Sequence, residues 1–344
     1  MKKNVMKIAL LAVSLVVLAA CNSKAEGSDN GISASEKTQT LRIAGVYPDD
    51  HPSTQALYTF VEQVKEKSEG RIEIKVYPAN QLGDYTTVYE EIGRGTIDMG
   101  LITLPSTLDN RLEMLFVPYL SESYENITDR YNTESYVFSK IQEINNEHNV
   151  QLLGFHANGF GGVGTTKEIE NFMELGEDKD LLLRVAPIDA FRLPMADIGF
   201  RTVTIPYADL YTALQTGSAD GWSGGEPALN YLGFRDVIKY YYQTNDFFNT
   251  DSLLMNKGLY DELSEKDLEM FKELTEELVL KSFANAEEHD QDYRDKMVEE
   301  GINVVEFSNA ELSEIGKHVR ATTWPKLEKR IGKDIIDELM KTTE

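Results

Sequence analysis

Cysteine is almost absent from this chain. Cys21 is its only one in 344 residues, so no disulfide closes within it. Positive charge is scarce as well. Thirty-four Lys and Arg face 58 Asp and Glu, for a net charge of −24. So acidic a chain is repelled by nucleic acid and by anionic lipid, which excludes both as main partners. The five histidines, His51, His148, His156, His289 and His318, form no H-E-x-x-H and no spaced metal pair. There is no G-x-S-x-G elbow, no P-loop and no G-x-G-x-x-G after a strand. With so many carboxylates, chance acid pairs say nothing about acid–base catalysis. No catalytic residue, cofactor or metal site is therefore expected. Long apolar runs are missing too, apart from the thirteen residues Ile8–Ala20. A bilayer span needs about 20.

That short run follows Lys2, Lys3 and Lys7 and ends at Leu18-Ala19-Ala20-Cys21. A basic head, a short apolar stretch and small residues at its end form a secretory signal. The four residues resemble the bacterial lipobox, which implies cleavage before Cys21 and acylation of its thiol. Residues 1–20 are thus expected to be a lipoprotein signal peptide. Losing them removes three lysines, leaving 324 residues at a net charge of −27. Residues 21–40 (CNSKAEGSDNGISASEKTQT) have little to bury and are expected to form a flexible tether. One or two acyl chains hold a protein on a membrane rather than across it. The folded part then lies outside the cytoplasm, in a periplasm or on a Gram-positive surface.

From Leu41 the pattern alternates. Leu41–Val46 reads as a strand, and Pro48 and Pro52 bracket a turn, with Ser53 placed to cap a helix. Ala56, Leu57, Phe60, Val61 and Val64 share one helical face. Ile72, Ile74 and Val76 alternate as in a strand. A helix over Asp84–Arg94 and a strand over Ile97–Thr103 complete a β-α-β-α-β succession, which implies a parallel sheet flanked by helices. Gln151–Phe155 reads as a strand leading into a glycine-rich turn, Gly159-Phe160-Gly161-Gly162. Strands follow at Leu181–Val185, Thr202–Ile205 and Ser252–Asn256. Ser264–Glu300 holds no Pro or Gly and predicts one helix of roughly 50 Å. At 41% hydrophobic the chain can bury a sizeable core, and its length fits about two domains.

Two stretches carry more than pattern. Tyr77-Pro78-Ala79-Asn80-Gln81-Leu82-Gly83 is followed by Gly95-Thr96-Ile97-Asp98-Met99. Later, Leu183-Arg184-Val185 precedes Pro206-Tyr207 and Ala208-Asp209-Leu210-Tyr211-Thr212-Ala213-Leu214-Gln215-Thr216-Gly217-Ser218-Ala219-Asp220-Gly221. In this order they closely resemble the DctP-type solute-binding proteins of tripartite ATP-independent periplasmic (TRAP) transporters. The resemblance runs from about Leu41 to about Leu280. It implies an α/β, two-lobed periplasmic-binding-protein-like fold, each lobe a mixed, mostly parallel sheet with helices, and a long helix spanning both. Residues 41–160 with about 252–290 would form lobe I, and 161–251 with about 291–344 lobe II. It implies capture of a small organic anion, usually a carboxylate, for delivery to the small and large membrane subunits of a TRAP permease, without catalysis. The same fold also suits a subunit that presents ligand to a membrane receptor kinase.

The resemblance places the anion on Arg184, whose planar fork of donors matches a carboxylate. Tyr207 and Trp222 are expected walls. Where the family often has an asparagine before a proline, this chain has Glu226 before Pro227. A carboxylate there accepts only, which favours hydroxyl or ammonium groups on the ligand. Many sugar-acid and dicarboxylate binders carry a second arginine about twenty residues before the L-R-V strand. Here that stretch is Gly159–Thr166 without arginine, which favours a monocarboxylate. Topology adds Tyr47 in the turn Tyr47–His51, Thr103 at a strand end, and Phe247 before the Ser252 strand as cleft residues.

Overall fold

The computed structural model describes residues 38–125 and 127–342. The expected signal peptide, Cys21 and nearly all of the tether lie outside the described residues. The first sheet opens as its periodicity predicts. Strand β1 (Gln39–Gly45) is followed by helix α1 (Pro52–Lys67), strand β2 (Ile72–Tyr77), helix α2 (Tyr85–Arg94) and strand β3 (Met99–Ile102). β1 pairs in parallel with both β2 and β3. Helices α3 (Ile127–Tyr131) and α4 (Tyr136–Glu147) lead to strand β4 (Val150–Phe160).

The second sheet takes strands β5 (Gly162–Thr165), β6 (Leu182–Val185), β7 (Arg201–Thr204), β8 (Gly221–Gly225) and β9 (Tyr240–Gln243). Helices α5 (Asp189–Ile198), α6 (Leu210–Thr216) and α7 (Pro227–Phe234) lie between them. Strand β10 (Phe248–Asn256) returns to the first sheet. It runs antiparallel between β3 and β4, and all nine of its residues are buried. Helices α8 (Lys257–Glu262) and α9 (Glu265–Glu299) follow, then strand β11 (Asn303–Glu306) and helices α10 (Asn309–Thr322), α11 (Trp324–Ile331) and α12 (Lys333–Lys341). The sheet orders are β2-β1-β3-β10-β4 and β11-β9-β5-β8-β6-β7. Both are mixed, because β10 and β5 run against their neighbours.

The 35 residues of α9 cover both sheets. Its first half sets Met270, Phe271, Leu274 and Leu278 against α1 and the first sheet, while Met297 packs with Trp222, Tyr241 and Ile302 in the second. Ser264 caps it, accepting from Asp267 N. No helix among the described residues is long and apolar enough to cross a membrane.

Two sequence expectations need correction. The cap of α1 is His51, not Ser53. Pro52 occupies the first helical position and has no N–H. The first free donor is therefore Ser53 N, and His51 Nδ1 accepts it at 3.2 Å. The hydroxyl of Ser53 donates instead to Asn158 Oδ1 at 2.6 Å.

The glycines of 159–162 are not a turn. β4 ends at Phe160 and β5 begins at Gly162, so the chain passes from one sheet to the other at Gly161 alone. That crossing is bonded to the segment between β9 and β10. Gly161 N donates to Phe247 O at 2.9 Å, and Asn245 N donates to Gly161 O at 3.1 Å. The glycines are there for close approach. A Cβ on Gly161 would stand 2.2 Å from a ring atom of Phe247.

Candidate functional site

Arg184 is the third residue of β6, and its side chain is almost wholly buried, at 3% exposure. Its Nε donates to Ile205 O at 2.8 Å. No carboxylate among the described residues lies within ion-pair distance. Burial lowers its pKa to about 10, so it remains charged at neutral pH. A buried guanidinium without a counter-ion is costly unless something binds it. It faces a cavity of about 500 Å³ lined by elements of both sheets.

Six of the expected site residues share this cavity: Tyr47, Thr103, Arg184, Tyr207, Trp222 and Phe247. Tyr47 follows β1 and stacks on His51, with ring centres 4.0 Å apart. Its hydroxyl donates to Asp251 Oδ1 at 3.4 Å and accepts from Asn158 Nδ2 at 3.2 Å. Thr103 Oγ1 also donates to Asp251 Oδ1, at 3.3 Å. Trp222, in β8, gives its Nε1–H to Asn230 Oδ1 at 3.0 Å, so it can offer the cavity only ring surface. Tyr207 stands 6.4 Å from it, centre to centre, in the turn that starts α6. Phe247 meets Phe191 edge-on at 4.7 Å, and Phe191 leans on Phe116 at 5.6 Å.

Glu226 lies behind this wall rather than on it. It is fully buried between β8 and α7. Because His51 Nδ1 accepts from Ser53, the ring proton sits on Nε2, which donates to Glu226 Oε1 at 3.1 Å. Asn249 Nδ2 donates to Oε2 at 2.7 Å. Burial raises the carboxyl, but these two bonds hold it below the usual glutamate range. Both oxygens are thus engaged inside the protein, and the hydroxyl or ammonium partner expected for them is supplied by His51 and Asn249. The pair also ties the start of α1 to the end of β8, across the two sheets.

Sequence reasoning missed Tyr85, Asn249, Phe116 and Phe191, which also line the cavity. Tyr85 is the first residue of α2, immediately after the Asn80–Gly83 motif and its Asp84 cap. Position was the available signal, since a residue just past the carboxyl end of an α/β strand sits where ligands bind.

Carboxyls crowd the crossings between sheets. Asp290 of α9 accepts from Phe160 N at 2.9 Å and from the Tyr124 hydroxyl, and its Oδ1 has no partner. Burial raises it to about 8. Burial likewise raises Asp246 and Asp251 to about 6. Each raised carboxyl stabilises the fold in its protonated form. That contribution is full below the ordinary value of 3.8 and is lost as pH rises through 6 and then 8. Asp290→Asn is therefore expected to gain thermal stability relative to wild type as pH goes from 5.5 to 8.5. Melting curves at both pH values check this; a constant difference contradicts it.

Among the described residues no group of three His, Cys, Asp or Glu is placed to hold a metal ion. A larger groove of about 830 Å³ between α4 and α12 is lined mainly by charged side chains, including Lys140, Glu143, Asp334 and Asp337. It is open and contains no buried cation.

The profile of the bacterial extracellular solute-binding proteins, family 7 (DctP), matches residues 43–329. A solute-binding protein of Chromohalobacter salexigens is 25% identical over 81% of this chain and 82% of its own length. Among solved structures, a TRAP periplasmic solute-binding protein from Haemophilus influenzae with bound L-gulonate superposes with a TM-score of 0.76 at 22% identity, over 88% of this chain and 99% of that one. One from Desulfovibrio salexigens with bound orotic acid gives 0.78 at 19% identity, over 88% and 98%.

Proposed function

Because this chain belongs to the bacterial extracellular solute-binding proteins of family 7, we propose that it captures a small organic anion in the cavity at Arg184 and passes it to a TRAP-type permease. The observation that carries this reading is the buried guanidinium, with no carboxylate partner among the described residues, on the wall of a cavity between two sheets. A ligand carboxylate supplies the missing counter-ion and takes both arms of the fork. The structural relatives that hold L-gulonate and orotic acid support an anionic ligand. No step of chemistry is assigned to the site, which binds and releases. Contacts from both sheets make closure on ligand the natural cycle, since only contacts made better in the closed state can drive it.

The same reading makes Cys21 the lipid attachment, with residues 21–40 as tether to the outer face of the cell membrane. Cys21→Ser is then expected to move the protein from the membrane to the soluble fraction, and a mutant that stays on the membrane contradicts the anchor.

A thermal-shift screen of organic anions, with wild type and Arg184→Ala side by side, tests binding. The expected result is a saturable rise in Tm for at least one anion in wild type only, with the anion recovered unchanged. Stabilisation by neutral sugars or by cations, or conversion of the anion to product, contradicts the reading.

A further inference from the structure

We infer that the ligand is a monocarboxylate with a flat apolar body, of the aryl-alkanoate kind, rather than a hydroxyl-rich sugar acid. This rests on the organic-anion reading above and narrows it.

The cavity sets one cation beside a broad aromatic surface. Arg184 is the sole cation among the described lining residues. The hydroxyls of Tyr85 and Tyr207 lie near enough to feel its charge and have no hydrogen-bond partner among the described residues. Tyr85 comes from α2 and Tyr207 from the second sheet's side, so the two tyrosines and Arg184 line one cavity from both halves of the cleft. One carboxylate fits between them: a bidentate contact to Arg184, with a phenol donor from each side. A second carboxylate finds no second cation.

Aromatic rings share the lining: Phe116, Phe191, Phe247 and the ring faces of Tyr47 and Trp222, the last directly opposite Arg184 on the neighbouring strand. What matters is the state of the polar atoms among them. The Trp222 N–H is held by Asn230, and the Thr103 and Tyr47 hydroxyls are held by Asp251. The Ser223 hydroxyl points at Asp246 at 3.4 Å, and the Asn249 amide N–H at Glu226. The donors set among these rings are already engaged within the protein, whereas Asn80, Thr86 and Thr204, which also line the cavity, have no side-chain hydrogen-bond partner among the described residues. A sugar acid would bury several hydroxyls against rings and engaged donors, and each hydroxyl left unpaired weakens binding by about tenfold. A planar apolar body loses nothing there and gains ring contact. The cavity of about 500 Å³ holds such a molecule.

Calorimetric titration of the full-length protein with three probes decides this. They are 3-phenylpropionate, its uncharged amide 3-phenylpropionamide, and L-gulonate. The expected order is phenylpropionate at least about tenfold tighter than gulonate, with no measurable binding of the amide. Gulonate binding as tightly as phenylpropionate or more so overturns the apolar-body inference and leaves the organic-anion reading standing. Binding of the amide as tight as the acid, or binding of neither acid, overturns both. Tyr85→Phe removes one hydroxyl and no packing. It is expected to weaken phenylpropionate about tenfold with the Tm of the free protein unchanged. Unchanged affinity overturns the two-phenol carboxylate site.

Discussion

Replacing Arg184 with alanine is expected to weaken anion binding by about 2 kcal/mol or more, a loss of at least about thirtyfold. The guanidinium is buried, and nothing else among the described cavity residues carries positive charge. A ligand carboxylate brought into this site without it would be buried with no counter-ion, the situation that makes truncating one member of a charge pair so damaging. Arg184→Lys separates charge from geometry. Lysine keeps a positive charge, but its ammonium is a single point that cannot reproduce the planar fork or the bond from Nε to Ile205 O. Most of the affinity should go with it. Calorimetry on the two variants checks both statements, and full affinity in Arg184→Lys would show that no bidentate contact exists. The free protein should tell a different story. Removing a buried cation that lacks a carboxylate partner relieves a desolvation penalty, so the alanine variant is not expected to melt much earlier than wild type.

Gly159→Ala is expected to destabilise the fold by about 3 kcal/mol or more, through two separate effects. The residue has φ 138, a conformation side-chain-bearing residues rarely adopt. Its new Cβ would also stand 2.1 Å from Asp290 Oδ1. Neither neighbour can yield easily. Asp290 is fixed by Phe160 N and Tyr124, and α9 that carries it packs against both sheets. Gly159 precedes the crossing at Gly161, so the strain falls where the two sheets meet. Denaturant titration should show a lower midpoint with an unchanged slope. Gly70→Ala is a useful control, because it shares a positive φ of 77 but has no atom within 4 Å of the added methyl. Equal losses at the two positions would mean that close packing against Asp290 contributes nothing.

Much of the architecture was legible because periodicity reports burial. The alternation of Ile72, Ile74 and Val76 gave β2, and the unbroken stretch after Ser264 gave α9 nearly to the residue. Direction is another matter. β10 is buried on both faces, so its composition is the same whether it runs parallel or antiparallel to β3, and only the chain's path decides. The Gly159–Gly162 run misled for a related reason. Glycine marks both turns and close approaches, and the atoms approached here, on Asp290 and Phe247, are far away in sequence. The cap of α1 turned on a detail of one residue, the missing N–H of Pro52.

At the site, Arg184 stood out through a motif, and the cavity gathers it with Tyr207, Trp222, Tyr47, Thr103 and Phe247. What no local reading reveals is whether a polar atom is already engaged. Glu226 reads as a free acceptor in the sequence. Its partners, His51 and Asn249, lie 175 and 23 residues away. Tyr85 was passed over for the opposite reason: an aromatic at a helix start usually packs, and only the fold turns this one toward Arg184's charge.

The central claim is that Arg184 holds the carboxylate of an organic anion inside the cavity between the sheets. A crystal structure of the protein grown with the anion that gives the largest thermal shift tests it most directly. The account predicts electron density for that anion in the cavity lined by Tyr47, Tyr207 and Phe247, with both carboxylate oxygens within hydrogen-bond distance of the Arg184 Nη atoms. An anion seated elsewhere, or one whose carboxylate points away from Arg184, would contradict it.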